Sequence, residues 1–524
     1  MDKAVENALV RLIDSQSTPV SLSELDLFTI PATQVSVKNS QWKKIHLTNS
    51  LTSNGPFQFR VYNDKSYLQL SKNYMYMKFS IRDSKGNKIK VPETGTDRFA
   101  TIQAIGKTFF QHIRISINGI SVEDCYSYAY RSFLETELMH DTTTKNCNLH
   151  SSGYRSSNGD LGSVTDKGFL ERVSLCKESK TIETMTPLNL SLFAQDRLLL
   201  NYVDLSIECF RNSDSFCLLN YDNPNCDYRI ELEDMYLCVK EVEVVESASL
   251  ALEKLLSQGH MVRYPLKTVN IRTLHISSGR LSSLDSMVFT ETLPRRVIMG
   301  LVSSPAFHGS ISKDPFNFQN FDLKNVALDC AGRIIPGTRV DLDFENGSCL
   351  EPFIQMQEVL GFAGRNKNNG ITFDMFKNGW CLFCFDVSPN PHDGAFDLIT
   401  NGVTSIKLDF AKPVPADGIT CVVYAVHPEM LPSSSSSSAS VTANRKRGPL
   451  SIIKEDLDGQ SAHVDIKHPM TRRRKRQTAT ASNKTSVFAS PSYPETTTPA
   501  PEHMLSIHVY QNADGIRYTT VQSA

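Results

Sequence analysis

The sequence predicts an all-β protein with two tandem jelly-roll β-barrels (a double jelly roll), a few short helices and a disordered C-terminal tail. Three observations lead to this fold class. Many short segments alternate apolar and polar residues, few segments have helical periodicity, and the order of the elements repeats once along the chain. With 524 residues, of which 40% are hydrophobic and 21% charged, the chain can bury one large core or two ordinary ones.

The alternating segments predict strands of sheets with one buried and one solvated face, because successive side chains of a strand point to opposite sides. These segments lie at 57–61, 75–81, 113–117, 203–209, 230–232, 406–410 and 419–425. Helical periodicity predicts helices at 128–138, 247–258 and 351–362. A short amphipathic helix at 4–13 is followed by an extended segment with apolar anchors, and we interpret this N-terminal part as an arm.

A weak internal repeat supports two units of similar build. Residues 113–122 ("IRISINGISV") and 326–335 ("VALDCAGRII") share one hydrophobic frame, and each predicts a strand, a glycine turn and a second strand. In both halves a buried strand precedes this hairpin and a helix follows it. Units of about 200 residues with a helix between strands favour jelly rolls. Sandwiches of the immunoglobulin type are the second choice, because they are shorter and do not predict that helix.

The predicted organisation has five parts. They are an N-terminal arm (1–40), a first jelly roll (41–246), a linker helix (247–263), a second jelly roll (264–432) and a tail (433–524). From Ser433 onward Ser, Thr, Pro and basic residues dominate, and large apolar side chains are too few to offset the entropy of ordering, so we expect disorder. Within the tail, residues 505–521 alternate with period 2 and predict a hairpin.

The tail and the body carry opposite charge. Residues 433–524 contain 12 Lys+Arg and 7 Asp+Glu, a charge of +5, which leaves 43 and 49, or −6, for residues 1–432. The composition of the body therefore does not indicate a nucleic-acid-binding surface, whereas that of the tail allows one. The positive charge is concentrated in two clusters, namely Arg445, Lys446, Arg447 and Arg472, Arg473, Arg474, Lys475, Arg476.

The two basic clusters fit three interpretations. They are a nuclear import signal read by importin, a contact with genomic DNA, or a solvated run of charge, in that order of preference. The sequence "RRKR" also has the form of a furin-type cleavage site. The absence of a signal peptide weakens that interpretation.

The 12 cysteines are interpreted as buried free thiols, because several lie inside strand patterns such as "LSIECF" and "ITCVVYAV". The start "MDKAVENALVRLIDSQ" contains acids where a signal peptide needs an apolar stretch, and no run approaches the roughly 20 apolar residues that cross a bilayer. We therefore expect an intracellular protein without a membrane-spanning segment. Cys381 and Cys384 form the only C-x-x-C, and a structural strand is preferred there over zinc because no second ligand pair is evident.

The sequence contains no motif of a nucleophile elbow, a zinc protease, a P-loop or a dinucleotide fold, so we predict neither an enzyme nor a bound cofactor. His308 and His392 lack a nucleophile beside them, and "PHDG" is more simply a turn. The carboxylates at 341, 343 and 345 are expected on one face of a strand, as a solvated edge rather than a cation site. A carbohydrate-binding or glycan-hydrolysing double jelly roll is the alternative function, because aromatic and polar loops are plentiful.

The loop 303–323 follows a buried strand and has turn chemistry together with four large apolar anchors. They are Phe307, Phe316, Phe318 and Phe321. A loop with four phenylalanines and no acid or base machinery is better explained as interface packing than as a reaction site. We expect these rings to be too apolar to remain exposed on a monomer, and hence to lie in an interface between chains.

Five stretches together resemble the hexon-like major capsid proteins of Polinton (Maverick) elements and adintoviruses. They are "SELDLFTIPATQVSVKNSQW", "YPLKTVNIRTLHISSG", "LPRRVIMGLVSSPAFHGSISKDPFNFQNFDL", "GRIIPGTRVDLDF" and "NGWCLFCFDVSPN". The resemblance covers about residues 20–430 and leaves the tail outside it. It implies a structural protein of a DNA virus that forms homotrimeric, pseudo-hexameric capsomers of an icosahedral shell. Its expected partners are neighbouring capsomers and a minor, penton-type capsid protein, and its expected locations are the virion and, during assembly, the host nucleus.

Overall fold

The structure is a computed structural model of the chain. It describes the core of the protein and four strands near the C-terminus. The described residues are 22, 25–28, 30–51, 55–90, 97–159, 161–258, 260, 262, 264, 266–388, 399–428, 442–444, 451–453, 505–511 and 517–523. The predicted helix at 4–13 and both basic clusters lie outside them.

The first half of the chain forms two four-stranded antiparallel sheets and one small pair. Its strands are β1 (Val37–His46), β2 (Phe57–Asn63), β3 (Tyr67–Arg82), β4 (Phe99–Thr101), β5 (Phe110–Ile117), β6 (Ile120–Tyr126), β7 (Ile182–Thr186), β8 (Val203–Arg211), β9 (Leu218–Asn220) and β10 (Arg229–Val244). The sheet orders are β1-β10-β3-β7 and β2-β8-β5-β6, and β4 pairs with β9.

The second half repeats the two four-stranded sheets strand for strand. Its strands are β11 (Val269–Ile276), β12 (Ser282–Phe289), β13 (Arg296–Ser303), β14 (Leu323–Cys330), β15 (Arg333–Ile335), β16 (Leu382–Asp386), β17 (Thr404–Phe410) and β18 (Ile419–Val426). The sheet orders are β11-β18-β13-β16 and β12-β17-β14-β15. In each half, two four-stranded sheets place the first strands of that half beside its last strands, which is the topology of a jelly roll. The predicted double jelly roll is therefore confirmed.

Short helices decorate both halves. They are α1 (Ile105–Thr108), α2 (Tyr128–Met139), α3 (Thr142–Asn146), α4 (Lys167–Cys176), α5 (Ser191–Ala194), α6 (Asp214–Cys217), α7 (Glu246–Ser257), α8 (Ser304–His308), α9 (Leu350–Val359) and α10 (Phe373–Lys377). Two 3₁₀ turns lie at Asn148–Ser152 and Lys177–Ser179. Helix α2 follows the hairpin β5–β6 as α9 follows β14–β15, and α7 lies between the two jelly rolls. In the part of the chain that the structure describes, none of the helices combines the length and apolarity that crossing a membrane requires.

The two predicted hairpins are present and use the same turn. Ile117 pairs with Ile120, and Cys330 pairs with Arg333, so each turn has two central residues. Asn118 and Gly119 have φ values of 50° and 81°, and Ala331 and Gly332 have 54° and 87°. Positive φ at both central positions matches the right-handed twist of the flanking strands, which is why a glycine recurs in both copies of the repeat.

Two local predictions differ from the structure. The loop after β13 begins with α8, whose first turn is favoured by Pro305 near its N-terminus. The carboxylates Asp341, Asp343 and Glu345 do not line a strand, because Asp343 instead accepts a hydrogen bond from the Asn346 N–H and pairs as an isolated bridge with Ser348. An Asx turn has replaced the expected strand there.

Four strands of the tail are described. β19 (Thr442–Asn444) pairs with β20 (Ser451–Ile453), inside the range for which we predict disorder. β21 (Leu505–Gln511) pairs with β22 (Arg517–Ser523), in the place of the hairpin predicted over 505–521. The remainder of the predicted disordered range, and His392, lie outside the described residues.

All twelve cysteines belong to the described residues and carry free thiols, and ten of them are buried. Cys384 lies in β16 with Cys381 just before it, which is the structural strand that the sequence favoured. Burial raises the pKa of Cys384 to about 12 and that of Cys125 to about 11. Both thiols are therefore protonated and unreactive near neutral pH.

We expect nearly all 12 cysteines to titrate as free thiols after purification and unfolding. Ten of them are buried, and burial raises the pKa of these thiols, which disfavours their oxidation in the folded protein. Thiol counting with and without denaturant measures this, since only Cys147 is exposed in the folded chain. Several intact disulfides in the freshly unfolded sample would contradict the expectation.

Candidate functional site: the interface between the two jelly rolls

Helix α2 is the element of the first jelly roll that packs against the second. It starts after Ser127, whose φ of 54° turns the chain sharply out of β6. Ten of its twelve residues are buried, so the helix is covered on nearly every side. Its aromatic residues Tyr130 and Phe133 are three positions apart and therefore share one face, which is directed at the loop 303–323.

An aromatic cluster fills this interface. Phe133 and Phe316 stack with ring centroids 4.1 Å apart and planes inclined by 3°. Tyr130 meets Phe316 edge to face at 5.5 Å and Phe307 at 5.4 Å in a stacked geometry. The Tyr130 hydroxyl donates a hydrogen bond of 3.1 Å to the carbonyl oxygen of Pro315, so its polar end is satisfied in the interface.

Phe318 lies directly on the sheet β11-β18-β13-β16. A Cβ atom on Gly300 of β13 would come within 2.4 Å of Phe318 Cδ1 and 2.7 Å of Leu382 Cδ2. Gly300 therefore has to be glycine to let the phenylalanine ring approach the strand. The ring also approaches Phe133 of α2, with centroids 6.1 Å apart.

Phe307, Phe316 and Phe318 do lie at an interface, but it is an interface within one chain. Phe316 and Phe318 are 0% exposed between α2 and the second sheet, whereas Phe307 and Phe321 are half-buried. The premise that all four rings would be exposed on a single chain is therefore wrong, because α2 of the first jelly roll already covers two of them. A role for Phe307 and Phe321 between chains stays a prediction.

A buried network of charges lies beside the aromatic cluster. Arg131 of α2 donates to Glu123 at 2.9 Å, to Glu135 at 3.1 Å and to the Ser191 hydroxyl at 3.2 Å. Desolvation of the guanidinium opposes its charge, but the two carboxylates outweigh this effect and hold the pKa of Arg131 well above its usual range. The site is nevertheless a buried ion cluster, which persists only while each charge keeps its partners.

This network also joins the two jelly rolls. Tyr424 of β18 donates from its hydroxyl to Glu135 at 3.1 Å. Lys145 of α3 donates to the Glu137 carboxylate at 2.8 Å and to the Asn369 carbonyl oxygen at 2.7 Å. These contacts cross from the first jelly roll to the second, so polar groups fix the orientation that the aromatic rings stabilise.

Lys107 of α1 is a buried cation near the same network. Burial lowers its pKa to about 8, and the attraction of Glu135 offsets only part of that effect. Below pH 8 the ammonium is charged in both the folded and the unfolded chain, and folding then desolvates it. Between pH 8 and the unfolded value of 10.5 the unfolded chain binds the extra proton, so stability rises with pH across this interval.

We expect Lys107→Met to raise the free energy of unfolding at pH 7 by as much as about 3 kcal/mol, since the apolar side chain has no charge to desolvate. The advantage over the wild type should shrink as the pH rises from 8 to 10. Urea unfolding at several pH values measures it, with the exposed Lys65→Met as control. A constant difference at all pH values would show that the ammonium is not desolvated in the fold.

The other sequence candidates do not join this site. His308 is exposed and packs its ring edge to face on Phe307, with centroids 5.4 Å apart. Over the residues that the structure describes, no three His, Cys, Asp or Glu side chains come close enough together to hold a metal ion. A polar cleft of about 380 Å³ in the second jelly roll is lined by residues that include Arg272, Asp285 and His427. Burial lowers the pKa of His427 to about 4, so its ring is neutral.

Sequence reasoning missed several residues of the interface. Gly300 was seen only as part of an apolar run, and Arg131 only as a polar position within a predicted helix. One signal was available, because a buried helix with Arg131 and Glu135 four residues apart needs partners for both charges. Nothing local to the sequence indicated Glu123, whose partner lies on another element.

No protein-family model matches this chain. It is 32% identical over 404 residues to the uncharacterized protein F54H12.2 of Caenorhabditis elegans, an alignment that covers 76% of this chain and 95% of the relative. Among solved structures, a chain of the Sputnik virophage, determined by cryo-EM, matches with a TM-score of 0.51 at 13% identity, covering 83% of this chain and 92% of that one. The mavirus major capsid protein gives a TM-score of 0.49 at 10% identity, covering 80% and 93%. The Sputnik match supports the fold.

Proposed function

The chain belongs to the same family as the C. elegans protein F54H12.2, and from its duplicated jelly roll we propose that it is a structural protein, the major capsid protein of an icosahedral virus or virus-like element. The single observation that carries the proposal is the identical strand order of the two jelly rolls. A lattice building block gains two similar lobes from one chain through such a duplication. In this role the chain binds no cofactor.

We propose a homotrimer as the capsomer. Three chains with two similar barrels each give six lobes around a threefold axis, so one gene product can occupy a hexagonal lattice position. The rigid contact between the barrels supports this proposal, because a loosely joined pair could not present the lobes at fixed angles. The hexon-like proteins of Polinton elements and adintoviruses are the finer assignment, and it rests on the five stretches quoted above.

In this proposal the protein resides in the virion and contacts neighbouring capsomers and a minor, penton-type capsid protein. Negative-stain microscopy and mass measurement of the full chain test it. We expect particles of three chains with a hexagonal outline at micromolar concentration. A stable monomer at that concentration, with the fold intact, would refute the capsomer.

The basic clusters of the tail are proposed to serve nuclear import for assembly around DNA in the host nucleus. The motivation is the charge of +5 on the tail against −6 on the body. We expect the replacement of residues 472–476 by alanine to move a fluorescent fusion from nucleus to cytoplasm. A control replaces the uncharged Gln477, Thr478 and Thr480 by alanine, which leaves the basic run intact.

Truncation after Pro432 should leave trimer formation and thermal stability nearly unchanged, because little large apolar surface is removed.

The alanine variant of residues 472–476 separates the interpretations of the basic run. If this variant stays nuclear but loses salt-sensitive DNA binding, genome contact is the role of the run. If neither property changes, the run is only solvated charge.

A further inference from the structure

The two jelly rolls differ in how one pair of corresponding sheets is covered. In the second jelly roll, nearly every residue of β13 and β18 is buried, so both faces of that sheet are covered. In the first jelly roll, much of β3 and β10 alternates between buried and partly exposed residues, which leaves one face of their sheet open. Because the strand orders are identical, the open face corresponds to the face that α2 covers in the second jelly roll.

The open face is aromatic. We call it the aromatic face and define it by Trp42, Tyr74, Tyr76, Met185 and Tyr236. Trp42 and Tyr74 lie 5.5 Å apart and are 50% and 36% exposed, and Tyr76 and Tyr236 stack at 4.3 Å. A contiguous set of exposed rings on the outside of a sheet is typical of a surface that another protein covers.

The counterpart of α2 is open in the complementary way. Helix α9 occupies the same place in the strand order, but only Pro352 and Met356 of it are buried. Leu350 and Ile354 are 56% and 45% exposed, although they are large apolar side chains on a helix. Helix α9 packs its other side on β16 of its own jelly roll, so the second jelly roll has a helix with one apolar side exposed, and the first has a sheet with one aromatic face exposed.

Exposed lysines lie at the aromatic face and exposed acids on α9, although Glu183 of β7, two residues from Met185, adds one acid to the aromatic face. Lys44 and Lys72 are exposed at the aromatic face, and the Lys44 ammonium lies 4.6 Å above the Tyr236 ring centroid. Glu351 and Glu358 are exposed on α9. Within the chain, α2 likewise presents an acid, Glu135, to Tyr424 of the sheet it covers. The contact of α2 within the chain therefore supplies a template for a contact between chains.

We infer that α9 of one copy of this chain packs on the aromatic face of the next copy, in the position that α2 holds on the second jelly roll. The contact is heterologous, since the two surfaces differ, and such contacts form either a closed ring or an open filament. The inference rests on the proposed function for its closure. With one such contact inside each chain and one between chains, three copies complete a ring of six jelly rolls.

Three variants of the full chain test this contact. Trp42→Glu/Tyr74→Glu places two carboxylates on the aromatic face, and Ile354→Glu places one on α9. Tyr62→Glu is the control, because Tyr62 is 59% exposed on β2, in the other sheet of the same jelly roll. Native mass spectrometry measures the mass, and circular dichroism verifies that each variant keeps its fold. We expect the two interface variants to be monomeric at a concentration where the wild type and Tyr62→Glu are trimeric.

Mixing the two monomeric variants gives the sharper result. The face variant keeps an intact α9 and the α9 variant keeps an intact face, so one good contact remains and a one-to-one heterodimer should form. A mixture that stays monomeric, or interface variants that stay trimeric, would overturn the inference while leaving the capsomer in place. A wild type that is itself monomeric would instead remove the capsomer, and with it this contact.

Discussion

Arg131→Met should lower the free energy of unfolding by about 3–5 kcal/mol, the largest effect expected of a single substitution in this chain. The methionine fills a similar volume but leaves Glu123 and Glu135, whose side chains are only 13% and 15% exposed, close together and without their cation. The Arg131 side chain is only 4% exposed, so solvent cannot replace the lost partner. Urea unfolding of the full chain, followed by tryptophan fluorescence, measures the loss.

The matched control for Arg131 is Arg60→Met. Arg60 makes a close ion pair with Asp204, 2.6 Å long, but its side chain is 66% exposed. Exposed pairs contribute less than about 1 kcal/mol, so this variant should resemble the wild type. Adding Glu123→Gln and Glu135→Gln to Arg131→Met should recover much of the loss, because the buried charges are then gone. Equal effects of the Arg60 and Arg131 substitutions would show that burial does not govern the network.

Gly300→Ala should destabilise the chain by about 1–3 kcal/mol and loosen the contact between the jelly rolls. The new methyl group would meet the Phe318 ring, which is fully buried and lies beside the Tyr130 and Phe133 rings of α2. Gly337→Ala is the control, since a Cβ there meets nothing within 4 Å. Urea unfolding measures stability, and limited proteolysis at the linker measures the separation of the two halves.

A compensating substitution makes the Gly300 prediction specific. Phe318→Leu alone should be destabilising, because it removes ring contacts from the interface. Combined with Gly300→Ala it should be less destabilising than the sum of the two, since the smaller side chain leaves room for the methyl group. Simple additivity would mean that the alanine acts elsewhere.

Most strands of this fold could be predicted from the sequence, because a strand that buries one face alternates apolar and polar residues, and this alternation is visible within a few residues. The hairpins at 117–120 and 330–333 were equally readable, since a turn with positive φ leaves a glycine in the sequence. The repeated order of elements then favoured jelly rolls without any knowledge of pairing. In β13 the alternation vanishes, and the continuous apolar run correctly indicated a strand buried on both faces.

The interface could not be read in the same way, because its partners are far apart in the chain. Phe133 and Phe316 are 183 positions apart, and nothing near either residue identifies the other. An apolar loop predicts that something covers it, but not whether the cover is the same chain or another. For this reason the sequence placed Phe316 and Phe318 between chains, whereas α2 covers them within one.

Helix α7 between the jelly rolls has a consequence for the order of assembly. It tethers the second barrel beside α2, so the intrachain contact forms at a high effective concentration that dilution cannot change. The contact between α9 and the aromatic face has no tether and depends on how many copies are present. Assembly therefore has two steps. Each chain forms the contact of α2 by itself, whereas the contact of α9 forms only above a certain protein concentration. In the proposed capsid role, the amount of chain synthesised would then govern growth of the shell, because every newly folded copy has already formed its intrachain contact.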